Sequence, residues 1–536
     1  MDIIYCDFIN GDDDTGAGTS EAPYQTITKA SIGLTGGDEV RVAKSPSDTA
    51  LTGTLTFTAG STSLTGASTL FTSELAIGDF VKGGDDQYYE VVTITNDTDA
   101  VLFQKYPSST GSGVTGYKLG ITSTGEAAAS STVIQAVSVS GISVASRLKI
   151  SGGWDLSTTT QDGQTYFRQI HGTFASRYGK GLFIDHKHYI EIERLHFLRY
   201  DRCIDMNGCD YCKLTSPNLL SAGDEAFYLY GCEYNDIITP VINSSGGEGL
   251  QMTLGICNTI TTPLCNSCDR CIYLGACYYN TITTPSTNYA RNYGIYMSNC
   301  KNNLITELTS NYAGTYAVYM TGCYEETINT ATCNNTYKAF NLSTSANIIL
   351  TDITANDNST VFGLTARSTN IIVNKYSGSG NSKDFHIYEC YGDLPAAKCQ
   401  HFQSTAGDNR CFYQYGQTYR DTTDARSTQC LKYDPSSAIY YIIQSFFFRA
   451  DSGVAQTLSA YIKKEATFNG DVQGAIYFMS EKIIGWTDIT PTADDTYEQK
   501  SLVAALGDIT EDGVLELRIK VRGTAGNVFV DDLATA

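Results

Sequence analysis

Residues 181–364 repeat every 22 or 23 residues, and no other feature restricts the possible folds as much. Successive units open at Gly181, Cys203, Ala226, Gly249, Cys271, Gly294, Ala317, Ala339 and Val361. Most begin with a small residue, then apolar, variable, apolar, as in Gly294-Ile-Tyr-Met. That alternation describes a short strand with one buried face. Eleven residues on, in six units, stands a second apolar position: Leu214, Ile237, Ile260, Ile282, Ile305 and Ile328. A unit with two or three short strands and no helical period cannot enclose a core alone, but stacked units can. The pattern predicts an all-β chain built on a right-handed parallel β-helix.

Stacking turns equal register into ladders, because equivalent residues of adjacent coils lie about 4.8 Å apart. Asn235, Asn258, Asn280 and Asn303 share one register and suit an amide ladder. Pro217, Pro240, Pro263 and Pro285 share another, where a bend is expected. Cys209, Cys232, Cys277, Cys300 and Cys323 share a third, with Gly255 in the coil that lacks the cysteine. Tyr228, Tyr273, Tyr296 and Tyr319 fall between inward apolar residues and are expected to face outward.

Composition sets limits on partners and compartment. A net charge of -21 with only 17% charged residues opposes binding to nucleic acid or to an anionic membrane surface. No apolar run reaches spanning length, and no signal peptide is expected at Met1. The 17 cysteines are odd in number and twelve lie between Cys203 and Cys333, mostly at ladder positions, so they read as buried free thiols kept reduced in a cytosol. Cys265, Cys268 and Cys271 have spacing reminiscent of a zinc site. Zinc needs four converging ligands, and the coil register already accounts for several of these residues, so packing is the preferred reading.

The chain divides into four parts on this reading: 1–50, a cap and first coils; 51–120, an inserted small β module; 121–400, the β-helix; and 401–536, a β-sandwich. The stretch from Ile3 through Asn10-Gly-Asp-Asp-Asp to Ala22-Pro-Tyr-Gln-Thr-Ile-Thr-Lys-Ala resembles the opening of many right-handed β-helix proteins. The Asp12, Asp13, Asp14 cluster reads as a solvated turn in preference to a cation site. The stretch from Thr56 to Val81 resembles small β modules of phage tail and fibre proteins. The strand order ending at Val528-Phe-Val-Asp-Asp-Leu resembles jelly-roll modules of the carbohydrate-binding type. In those modules late aspartates often hold a structural calcium, which would implicate Asp531 or Asp532; no other cofactor is expected.

One constellation could carry catalysis. The residues preceding successive coil starts run Arg202, Glu225, Glu248, Arg270, flanked by Asp201, Asp224 and Asp269. Glu225 and Glu248 in adjacent coils would stand roughly 5 Å apart, the separation of a retaining glycosidase pair. Such closeness also raises one pKa, as a general acid requires. The preferred reading is a charge ladder in which each Glu pairs with an Arg. His186 and His188 share a strand face without an acidic partner fixed by motif, and no nucleophile elbow, P-loop or metalloprotease motif occurs.

Taken together the chain resembles bacteriophage virion proteins of the β-helix type: tailspikes, tail or head fibres and capsid decoration proteins. The resemblance implies a homotrimer on the virion surface, in contact with other virion proteins and with host surface polysaccharide. It implies attachment through the tyrosine row, which could equally be a subunit contact. Cleavage of the polysaccharide by Glu225 and Glu248 is the enzymatic alternative, and a cellular surface adhesin the third.

Overall fold

The computed structural model describes residues 1–124, 133–169, 177 and 179–365, and beyond them 368–373, 376–381, 385–388, 413–415, 418–421, 430–433, 442–450, 456–478, 481–504, 513–522 and 528–535. Its contacts divide the chain into two units, 1–337 and 338–536. The first unit is the predicted parallel β-helix. Each regular coil carries three short strands, exemplified by Arg202–Asn207, Lys213–Thr215 and Asn218–Ala222. Each strand pairs in parallel with its equivalent one coil on, so Leu214 meets Ile237 and Leu219 meets Ile242. The inward residues of the three faces, among them Ile204, Leu214, Leu219, Phe227, Ile237 and Leu250, are fully buried.

The corners between strands are made without many glycines. Four columns of residues adopt left-handed backbone, for example Tyr211, Tyr234, Cys257, Tyr279, Asn302 and Glu325. A non-glycine residue in this region carries strain of about 1–2 kcal/mol. One column runs His186, Gly208 and Gly231 and then places Leu254, at φ 56° and 43% exposed, in the same conformation. Leu254→Gly should therefore stabilise the solenoid, by about 1 kcal/mol once the added freedom of the unfolded chain is set against the relieved strain. Denaturant unfolding checks this, and an unchanged or lower midpoint would contradict it.

Inside the corners the ladders form as the register predicts. Asn235 donates both its backbone N–H and its amide Nδ2 to Asn258 Oδ1, at 3.0 and 2.9 Å. Asn258 does the same to Asn280, and Asn280 to Asn303. Each amide also donates to a carbonyl of the preceding coil, such as Cys232 O from Asn258 at 2.8 Å. The column has a further member that the asparagine pattern alone does not reveal: Asn303 donates to both carboxyl oxygens of buried Glu326. The cysteine column lies in the core, each thiol turned to a carbonyl, as Cys277 Sγ is to Met252 O at 3.3 Å. Gly255 interrupts it because a Cβ there would stand 2.5 Å from Met252 Sδ, which fills the space instead.

The N-terminal segment joins the solenoid. Asp12 accepts hydrogen bonds from the Asp14 and Thr15 N–H groups, and Asp13 from those of Gln25 and Thr26. These two carboxylates thus brace the loop. Thr26 then caps the short helix Ile27–Ala30. Strand Glu39–Ala43 pairs in parallel with both Ile3–Cys6 and Leu148–Asp155, so the intervening segment is an insertion. That insertion contains a closed six-stranded barrel running from Thr49–Phe57 to Gly111–Lys118, cored by Leu55, Phe57, Leu64, Phe71, Tyr89 and Val91. It packs onto the solenoid through Phe80, Tyr88 and Leu119 against Leu198 and Leu220. Beside this apolar patch Glu90 of the barrel meets Arg177 at 2.8 Å and Arg199 at 3.2 Å.

In the second unit, Lys338–Ser343 and Thr360–Thr365 continue the parallel coil pattern, with Phe340 stacked on Phe362 at 5.5 Å. Two five-stranded antiparallel sheets follow, and the chain alternates between them. Leu458, Ile462 and Leu502 of one sheet share a core with Val472, Ile476, Leu517 and Ile519 of the other, which makes the predicted sandwich. Asp531 and Asp532 lie on its strand Val528–Thr535, with Asp531 in register with Tyr461, but their side chains fall outside the described residues. Among the described residues no helix is long and apolar enough to cross a membrane.

Candidate functional site

The solenoid face formed by Arg202–Asn207, Phe227–Tyr230, Glu248–Thr253, Arg270–Gly275, Tyr293–Ser298 and Tyr316–Thr321 brings the candidate residues together. Two neighbouring columns run along it, three residues apart in each coil. One contains Arg202, Glu225, Glu248, Arg270, Tyr293 and Tyr316. The other contains Asp205, Tyr228, Gln251, Tyr273, Tyr296 and Tyr319.

At the acidic end, Asp224, Glu225 and Glu248 present carboxylate oxygens within 4.8 Å of one another. Glu225 is 6% exposed and receives Arg202 Nε at 2.7 Å. Burial is the largest influence on it and, together with Asp224, outweighs Arg202, so its carboxyl is pushed up to about 7. Glu248 is raised too, by burial first, with Arg270 opposing from 3.1 Å and Asp224 and Asp269 assisting. Asp201 is raised by burial and by Asp224. The stacked pair expected from sequence is therefore a three-carboxyl group in which Asp224 takes part directly. It can hold a proton near neutrality. The guanidiniums that partner both glutamates match the charge-ladder expectation and oppose a cation in the same place.

The tyrosines predicted to face outward do so as half-buried side chains. Arg202 lies over Tyr228 at 4.1 Å, and Arg270 lies between Tyr273 and Tyr296 at 5.2 and 5.0 Å. Tyr296 and Tyr319 stack at 5.1 Å, and Tyr273 meets Tyr296 at 5.2 Å with rings tilted by 49°. Tyr293 and Tyr316 broaden this surface, each touching both Tyr296 or Tyr319 and the other, at 5.4–5.5 Å. Sequence reasoning missed these two. Their signal was their register: they occupy the column that begins with Arg202 and Glu225, directly after the charges end. Gln251 interrupts the second column between Tyr228 and Tyr273, so the aromatic surface is continuous only from Tyr273 onward.

The histidines form no such centre among the described residues. His186 contacts Asp185 at 2.9 Å and His188 lies 3.2 Å from Asp210, so each has the acidic neighbour that no motif announced. His196 is buried, stacked on Tyr166 at 4.4 Å, and burial lowers it to about 3.

Comparison with known proteins gives one partial family match and distant structural likenesses. A family described as periplasmic copper-binding protein (NosD) matches residues 163–312. No curated protein matches the chain. Pectate lyase Pel9A superposes with a TM-score of 0.41 at 9% identity, covering 73% of this chain and 78% of its own. The enzymatically active domain of bacteriophage CBA120 tailspike protein 2 does so with a TM-score of 0.32 at 10% identity, covering 85% and 82%. Alginate lyase from Paenibacillus sp. str. FPU-7 gives 0.36 at 12% identity, covering 74% and 99%.

Proposed function

We propose that this chain is a surface appendage of a bacteriophage virion, a fibre, tailspike or capsid decoration, that attaches to host-surface glycan without cleaving it. The observation that carries this reading is the outward tyrosine surface of Tyr273, Tyr293, Tyr296, Tyr316 and Tyr319 beside the Arg270 guanidinium. Tilted rings leave apolar area for the C–H faces of sugars, while their hydroxyls and the guanidinium supply polar partners. The buried free thiols of the ladders support folding in a reducing compartment. A homotrimer in contact with other virion proteins is part of the same proposal.

A second reading, polysaccharide depolymerase, is favoured by one observation: Glu225 titrates near neutrality beside Asp224 and Glu248. A protonated Glu225 could donate to a leaving oxygen while a neighbouring carboxylate acts on the anomeric carbon. The arginine held on each glutamate places binding first.

Incubation with host capsular polysaccharide or lipopolysaccharide separates the two readings. Tyr296→Ala/Tyr319→Ala should weaken retention on the glycan about tenfold or more, each ring contributing on the order of 1 kcal/mol. New reducing ends that disappear in Glu225→Gln/Glu248→Gln would move the protein to the depolymerase class. Undiminished retention in the tyrosine variant would remove the proposed binding surface.

A further inference from the structure

Within the solenoid, away from the outward face, three thiols converge. Cys265 lies on the strand Leu264–Asn266, Cys271 on Arg270–Gly275, and Cys268 in the corner between them. Their sulfurs all lie within 4.8 Å of one another, with Cys265 and Cys268 3.6 Å apart, and none is exposed. Coil register explains why each is buried but not why the three sulfurs meet. The place where they meet is kept open by Gly249 of the preceding coil: a Cβ there would stand 2.3 Å from Cys265 Sγ and 3.0 Å from Cys268 Sγ. Coil starts at this register are glycine at Gly181 and Gly294 as well, but Cys203, Ala226 and Ala317 show that a side chain is tolerated where the neighbours leave room.

We propose that Cys265, Cys268 and Cys271 form a trigonal site for a soft d10 cation of the Cu(I) class. A metal–sulfur bond of about 2.3 Å places three coplanar sulfurs about 4 Å apart, which the observed spacing brackets. Among the described residues no imidazole or carboxylate joins the group, so the fourth ligand of a tetrahedral zinc site is missing. Thiolate donors in a dry core select a polarisable ion over a hard one.

The thiols of Cys265 and Cys271 each donate to the other's carbonyl, at 3.0 and 3.3 Å, which leaves sulfur lone pairs free to turn inward. Loading converts the binding thiols to thiolates, and the displaced protons leave to solvent. Copper stays Cu(I) and no electron is transferred.

The test uses the full chain, reduced and refolded with one equivalent of Cu(I), then challenged with a Cu(I) chelator. Wild type should retain one ion per chain, release protons on loading, and show three sulfur neighbours by X-ray absorption. Cys268→Ser should lose at least tenfold in retention, while Cys300→Ser, in the separate cysteine column, should match wild type. The absorption measurement is made on wild type alone, so it decides the matter even where Cys268→Ser fails to fold. Two sulfur neighbours in place of three, or equal retention by wild type and Cys268→Ser, would overturn the site. So would a wild type that retains no copper.

Discussion

Glu90→Ala should destabilise the N-terminal unit by about 3–5 kcal/mol, because it strips the shared anion from a buried cluster of two guanidiniums. The Glu90 side chain is 1% exposed, that of Arg177 3% and that of Arg199 12%. Arg177 also donates to Ala222 O at 2.9 Å and lies over the Phe103 ring at 4.6 Å. Burial pushes this guanidinium down, Arg199 adds to the effect, and Glu90 is the larger of the influences that oppose them, ahead of Cys203. Removing Glu90 therefore leaves two like charges facing each other in a site closed to water. Replacing the whole cluster by apolar residues would cost far less, since the pair itself gains little over a well-packed core. Equilibrium unfolding of wild type, Glu90→Ala and Glu90→Gln checks this. Both variants should unfold at lower denaturant, alanine lower than glutamine. A shift below about 1 kcal/mol for Glu90→Ala would mean that water reaches the cluster.

This cluster also marks what sequence could and could not disclose. The strands, their burial and the ladders were legible because each depends on local alternation or on the 22- or 23-residue repeat. The barrel was legible as an interruption of that repeat. Its docking was not: Glu90 and Arg177 are 87 residues apart, and neither belongs to a repeated column. At the candidate site, register alone placed Glu225 beside Glu248 and Tyr296 beside Tyr319. It could not weigh burial against Arg202, which is what brings Glu225 to about 7. Tyr293 and Tyr316 were overlooked because their column changes from charged to aromatic along its length, and a search for identical residues stops at such a change. The thiols were read individually as ladder or packing residues. Their convergence depends on the corner at Cys268 and on the missing side chain of Gly249, which lies in another coil.

The same blindness to a change of residue type hid the end of the asparagine ladder, where a pH response is built in. Glu326 is 1% exposed, and burial, with some help from Cys300, pushes its carboxyl up to about 8, against the hydrogen bonds from Asn303. The folded chain therefore holds a proton on Glu326 at pH values where the unfolded chain, near the ordinary 4.5, has released it. Where the native state binds more protons, stability falls as pH rises. The contribution of Glu326 is complete below pH 4.5 and is lost as pH rises through about 8. At about 1.4 kcal/mol per pH unit, this window corresponds to an upper figure of about 5 kcal/mol. Glu326→Asn should abolish the response. An asparagine there can accept from the Asn303 N–H and amide through one oxygen, as Asn258 does from Asn235, and donate its own amide to the preceding coil. It carries no charge to desolvate. Thermal unfolding of wild type should show a midpoint that falls between pH 5 and pH 9, while the variant should hold nearly level and overtake wild type above neutrality. Parallel curves for the two proteins would mean that Glu326 is ionised in the folded state, with the ladder's hydrogen bonds outweighing its burial.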